Sequence, residues 1–148
     1  MASHSSTEIS AELKSGGPLE VNVLFTSTRA TIAATKAAGK LADSLGARIR
    51  VIVPQVVPFP LPLSEPPIEP EFTGNRIRAM LSQYSIEADV QVCLCRDKLN
   101  APVSVLKPHS LVLIGGRTRL WPTQEYRLAR GLRRRGHEVV FVEQPDYQ

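Results

Sequence analysis

The sequence predicts a single α/β domain: a five-stranded, open parallel sheet with helices on both faces. Three observations carry that expectation. Short aliphatic runs recur at residues 21–25, 48–53, 88–95, 111–114 and 137–142. Segments with apolar residues at helical spacing lie between them, at 30–45, 76–84 and 124–135. Strands alternating with helices through short joints are the pattern of a parallel sheet covered on both sides. The third observation is Leu111-Val112-Leu113-Ile114, wholly apolar and running straight into Gly115-Gly116-Arg117. A run of that kind suits a central strand buried on both faces, with the paired glycines bending the chain where the strand ends. Ligands of such sheets bind beyond the carboxyl ends of strands, above all where strand order reverses.

Taken in order, the chain opens with a polar stretch closed by Gly16-Gly17-Pro18. Residues 1–19 are expected to be a disordered tail and residues 20–144 the domain. After the first strand, Thr26-Ser27-Thr28-Arg29 offers hydroxyls to cap a helix over 30–45, and Gly46 is a natural stop. Ile32, Ala38, Leu41, Ala42 and Leu45 share one side of that helix, and its small residues suit close packing on a sheet. The second strand, 48–53, meets seven prolines between Pro54 and Pro70. Proline fixes φ and donates no backbone hydrogen bond, so residues 54–73 are expected to be an extended surface loop with polyproline character. The loop serves either as a stiff crossover or as a segment that docks in an aromatic-lined groove of a partner.

A second helix, 76–84, places Ile77, Met80, Leu81 and Tyr84 together. Cys93 and Cys95 on the third strand share a face but diverge too far for an easy bridge, and two ligands make a poor zinc site. Buried, reduced thiols are expected. Residues 100–106 form a short helix at best, with Pro102 tolerated near its start. Pro122 leads into the last helix, 124–135, whose Leu128, Ala129 and Leu132 face inward. Gly136 ends it, and the fifth strand follows.

A chain of 148 residues has room for one domain with a substantial core. No stretch approaches the roughly 20 apolar residues of a membrane span, and the polar N-terminus lacks the apolar core of a secretion signal. A cytoplasmic location is expected. The net charge of +4 is local, since seven arginines fall between Arg117 and Arg135 against Glu125 alone. Such a patch suits phosphate, nucleic acid or an acidic membrane surface, while the plainer expectation is a solvated helix face.

The run from Val21 to Val53, with its alanine-rich helix and Leu45-Gly46-Ala47, resembles the universal stress protein family. Leu111-Val112-Leu113-Ile114-Gly115 and Glu138-Val139-Val140-Phe141-Val142 fall where that family has its fourth and fifth strands. The resemblance implies strand order 3-2-1-4-5, which the residues alone do not choose, and a Rossmann-like stress-response domain. ATP-binding members carry an aspartate at the end of strand one, where this chain has Thr26. They also carry two glycines and a Gly-Ser or Gly-Thr pair after strand four. Here Gly115 matches, Thr118 stands at the second glycine and Leu128-Ala129 at the final pair. The implied site is a degenerate nucleotide-binding one. No cofactor is expected and ATP is disfavoured, because glycines of this kind let backbone amides close around phosphates.

In place of that motif, Thr26, Ser27, Thr28 and Arg29 end strand one, while Gly115, Gly116, Arg117, Thr118 and Arg119 end strand four. If the two strands are neighbours, hydroxyls, guanidinium groups and a helix N-terminus converge on an anion-accepting crevice. The plainer reading has the hydroxyls capping the helix and the arginines in water. No catalytic residue is assigned: His109 and His137 precede strands four and five, at the opposite end of the sheet, and Asp89 and Asp97 are isolated. Trp121 either covers a ligand or anchors the last helix. Val139, Val140, Phe141 and Val142 would leave an apolar sheet edge, which proteins normally pair or cover. A homodimer through that edge is therefore expected. Two function classes follow: a non-catalytic sensor or regulatory domain holding a small anion or degenerate nucleotide, or a module binding protein or nucleic acid through the arginine-rich helix or the proline-rich loop.

Overall fold

The structure, a computed structural model, describes residues 19–98, 104–117 and 123–145. The expected tail, most of the short helix at 100–106, and Thr118, Arg119, Trp121 and Pro122 lie outside the described residues. The elements run β1 Glu20–Leu24, α1 Thr28–Leu45, β2 Arg48–Val56, α2 Pro70–Gln83, β3 Asp89–Cys95, β4 Leu111–Gly116, α3 Gln124–Arg134 and β5 Glu138–Glu143. All four strand pairings are parallel, and the order is β3-β2-β1-β4-β5. The reversal of strand order therefore falls between β1 and β4.

Helix α1 forms where its hydroxyls predict. Ser27 is the N-cap, its side chain accepting from the Ala30 amide, and Gly46 closes the helix in the left-handed region at φ 63°. Ala30, Ala34, Ala38 and Ala42, spaced four apart, are all buried. Their short side chains bring the helix axis close to the sheet. Ala34, Ala38 and Ala42 pack on Val21, Val23, Val51, Val53 and Leu113, with Leu81 of α2 in the same layer. The other sides of these strands present Leu24, Ile52, Val112 and Ile114 to Leu128, Ala129 and Leu132 of α3. Each strand feeds two cores through its two-residue alternation, so helices cover both faces.

At the amino end of the sheet one polar cluster crosses three strands. Asn22, 3% exposed, donates from Nδ2 to the Leu111 carbonyl at 3.1 Å and accepts from Arg50 Nε at 3.0 Å. Arg50 also donates to Gln91 Oε1 at 2.8 Å and to the Val105 carbonyl at 3.1 Å, and pairs with Glu20 at 3.3 Å. One guanidinium thus ties β1, β2 and β3 to the chain that precedes β4.

Several expectations need correction. Pro54 lies inside β2, between two other strands, opposite Cys93. It is tolerated because β1 stops at Leu24, and the last bond from that side runs from the Phe25 amide to the Ile52 carbonyl. Pro54 points the same way as Ile52, two residues earlier, where no β1 partner remains to need its missing N–H. The proline-rich segment is not uniformly extended either. Turns close from the Leu61 amide to the Pro58 carbonyl and from the Glu65 amide to the Pro62 carbonyl. Its end belongs to α2, which begins at Pro70, in the first turn where a missing N–H costs least. Tyr84 and Leu45 are half exposed, and Cys93 is only half buried, as suits an edge strand.

Gly115 and Gly116 do not form a turn. Both pair within the sheet, with Val142 and Glu143, and the Gln144 amide extends the ladder by donating to the Gly116 carbonyl at 2.7 Å. Their use is absence of bulk. A Cβ on Gly115 would lie 2.0 Å from the Ala30 carbonyl oxygen, and one on Gly116 would lie 2.9 Å from both Glu125 and Phe141.

Candidate functional site

The carboxyl ends of β1 and β4 are adjacent, and Thr26 joins them. Its hydroxyl donates to the Gly115 carbonyl at 3.0 Å, and its amide donates to the Thr31 hydroxyl at 3.1 Å. Ser27 is committed to its cap, accepting from Ala30 at 3.3 Å. Thr28 is the first residue of α1 and is exposed. The hydroxyls at this edge therefore build the helix start and latch it to β4.

A small cleft of about 40 Å³ opens beside this latch, lined by Phe25, Thr26, Pro54, Lys98, Gln124, Glu125 and Leu128. At roughly 10–15 Å³ per enclosed water, that is room for a few waters or a compact group, not a nucleotide. Lys98 follows β3 by three residues, so its ammonium borders the edge that the sheet topology favours for ligands. Applying the carboxyl-end rule to the third strand, and not only to the first and fourth, would have found it. Glu125, in the first turn of α3, adds a carboxylate to the same cleft.

Of the residues expected at the crevice, Thr26 lines it. Gly115 and Gly116 shape the strand beneath it, and half-buried Arg117 leaves β4 at its end. Arg29 goes elsewhere. It borders a separate groove of about 300 Å³ with Ile32, Ala33, Lys36, Tyr84 and Pro145. Arg29 is already in the first turn of α1, whereas Thr26 precedes the Ser27 cap, so the helical turn carries Arg29 away from the strand end. The structure does not bring Arg29 and Thr26 into one cleft. Thr118 and Arg119 lie outside the described residues.

The histidines sit at the opposite end. His137 accepts at Nδ1 from the Ser110 amide at 3.1 Å, and His109 Nδ1 lies 3.2 Å from the Gly136 carbonyl. Burial, then His109 and then Arg135, push the His137 pKa below its ordinary value. Burial foremost, with Cys93 and Asp97 adding, raises the Cys95 thiol, which disfavours the nucleophilic thiolate. Among the described residues, no group of three or more His, Cys, Asp or Glu side chains is placed to hold a metal ion. No described helix is long and apolar enough to cross a membrane.

Neither a protein-family model nor a curated protein matches the chain. Solved structures do, among them the following two. One is a protein from the universal stress protein family from Burkholderia pseudomallei, 17% identical, with 83% of this chain and 94% of that one covered at a TM-score of 0.52. The other is a universal stress protein in complex with cAMP, 13% identical, with 84% and 98% covered at a TM-score of 0.56. At such identities the likeness is one of fold. The β3-β2-β1-β4-β5 order, the helices on both faces and these two likenesses together give the chain the universal stress protein fold.

Proposed function

We propose that this is a non-catalytic regulatory domain that binds a small anion, or the phosphate end of a degenerate nucleotide ligand, at the carboxyl edge of β1 and β4. It works in the cytoplasm, in a stress response, as a homodimer paired through β5. The observation that carries the ligand reading is the reversal of strand order at Thr26 and Gly115, with Lys98 and the start of α1 at the same edge. A fold neighbour holding cAMP gives a phosphate ester as a ligand of that architecture. ATP remains disfavoured. Leu128 and Ala129, at the family's last ligand pair, are buried inside α3 and pack on the sheet. Helical amides there are already bonded to the preceding turn.

The dimer reading rests on β5 being the terminal strand, with Val140 39% exposed. Thermal melts with phosphate, sulfate, cAMP and ATP test the ligand site. A ligand at a hundred times its Kd stabilises by about 2.7 kcal/mol, a rise of roughly 5–10 °C in a domain of this size. Lys98→Ala and Arg117→Ala should each cut that response, and Arg134→Ala should not. Equal losses from all three would put the anion on diffuse charge. Absence of any response to these anions, or hydrolysis of the bound nucleotide, would overturn the reading.

A further inference from the structure

The charged side chains on the outward face of α3 are all arginines, and the described structure pairs almost none of them. Leu128, Ala129 and Leu132 set the buried side of this helix. At about 100° per residue, Arg127, Arg130 and Arg134 fall within roughly 60° of one another on the side away from them. All three are exposed, as is Arg135 beside them. Arg133 donates to the Val139 carbonyl at 3.0 Å. Among the described residues the side chains of the other four make no ion pair or hydrogen bond. No acidic residue interrupts the stretch from Tyr126 to Gly136.

A solvated helix face ordinarily mixes signs, because charges three or four apart are neighbours and like pairs repel. Here Arg130 has a like charge at 127, 133 and 134. The helix dipole accounts for part of the arrangement, since Arg133 and Arg134 occupy the last turn. It offers little to Arg127 and Arg130, which precede that turn. Gly131 sits among Arg127, Arg130, Arg134 and Arg135, and a Cβ there would have only the Arg135 guanidinium within 4 Å, at 3.9 Å. The centre of the patch is therefore low, and a bulky polyanion can approach the helix backbone.

We infer that this face of α3 is a docking surface for the phosphate backbone of nucleic acid, bound without regard to sequence. Guanidinium forks bind phosphate oxygens bidentately. From Arg127 to Arg134 the helix covers about 10 Å, over which duplex DNA presents about six phosphate charges. Over that span the face offers arginine and glycine and no amide or hydroxyl side chain. Arginine can also read guanine, but a face of one residue type favours backbone contact, to which most protein–DNA hydrogen bonds go. An acidic membrane would share the charge but needs an apolar rim to enter the interface, and of the large apolar residues on α3 only Tyr126 is exposed. The inference does not depend on the ligand cleft, which lies at the opposite side of α3 beside Leu128.

Fluorescence anisotropy with a labelled duplex of arbitrary sequence tests it on the full chain. Binding is expected at low salt, with the logarithm of affinity falling against the logarithm of salt at a slope near −3 to −4 for about four phosphate contacts. Replacing Arg127, Arg130, Arg134 and Arg135 by Ser should lower affinity at least tenfold and flatten the slope, with the thermal melt confirming that the domain still folds. A matched variant losing Lys40, Arg48, Arg76 and Lys107 instead removes the same charge elsewhere and should bind nearly as the parent does. No binding at low salt, equal loss in the two variants, strong preference for one sequence, or α3-dependent capture by acidic phospholipid vesicles without binding to the duplex would each overturn the inference.

Discussion

Gly115→Ala tests the tightest of the described glycine positions. A methyl group at this position would sit 2.0 Å from the Ala30 carbonyl oxygen, 2.6 Å from its carbon and 3.1 Å from its Cα. Every one of these is backbone in the first turn of α1, so no side chain can swing aside. To restore ordinary contact the helix start must retreat by roughly 1–1.5 Å. The alanine row at 30, 34, 38 and 42 has no long side chain to fill the space that retreat would open. Overpacking of this kind costs about 1–3 kcal/mol, and the Thr26 bond to the Gly115 carbonyl is worth about 1 more. A loss of about 2–4 kcal/mol lowers Tm by roughly 5–15 °C in a chain of this length.

Urea unfolding measures the loss directly, and an unchanged slope would locate it in the native state. Gly39→Ala is the control. A methyl group there, within α1, would have no atom within 4 Å, so the substitution should be neutral or should stabilise by about 0.5–1 kcal/mol. If Gly115→Ala stays within about 0.5 kcal/mol of the parent, or behaves as Gly39→Ala does, the close approach of α1 to β4 is not what requires glycine there.

His137 accepts a proton poorly in the fold, so its contribution to stability is full above its unfolded value of 6.5 and is lost as pH falls from there through the lowered folded value. Denaturant titrations from pH 7.5 to 5 should show that fall, and His137→Gln should flatten it. Arg133→Ala frees the outward Val139 carbonyl and should raise the dimeric or associated fraction by light scattering at tens of micromolar, whereas Arg134→Ala, equal in charge, should not. Arg50→Ala leaves Asn22 Oδ1, Gln91 Oε1 and Glu20 without their shared donor and should cost about 2–4 kcal/mol in urea unfolding.

Legible in the sequence are the patterns whose cause is local. Aliphatic runs at strand length locate all five strands, and Ser27 and Gly46 mark both ends of α1 because capping needs only neighbouring residues. The strand order comes from family resemblance, since crossover rules leave more than one order open. Errors arise where a residue's role is set by a distant partner. Pro54 argues against a central strand, yet its acceptability depends on β1 ending earlier at Leu24. Gly115 and Gly116 suggest a bend, while their requirement comes from Ala30, Glu125 and Phe141, each on another element. Position in the chain assigns Arg29 to the crevice, and helical rotation carries it to another groove. Arg50 gives no signal at all, because its four partners lie on three separate segments, β1, β3 and the chain before β4.

The glycine geometry bears on how any anion would be held. A phosphate-binding turn works by aiming several free backbone amides at one point, which needs irregular backbone after the strand. In this chain β4 stays regular through Gly116, and the Gln144 amide still bonds to the Gly116 carbonyl. Thr26 has meanwhile turned its hydroxyl onto the Gly115 carbonyl. Among the described residues, recognition at this edge therefore falls to side chains, with Lys98 on the cleft and Arg117 at the strand end, and with the Glu125 carboxylate opposing them. Side-chain charge near solvent is screened within about 8–10 Å at ordinary ionic strength, whereas a buried nest of amides is much less so. Affinity for phosphate at this edge should accordingly weaken steeply as neutral salt is raised, and Glu125→Gln should strengthen it. Isothermal titration at low and high salt reads both effects. Salt-insensitive binding would mean that backbone amides, and not these side chains, hold the anion.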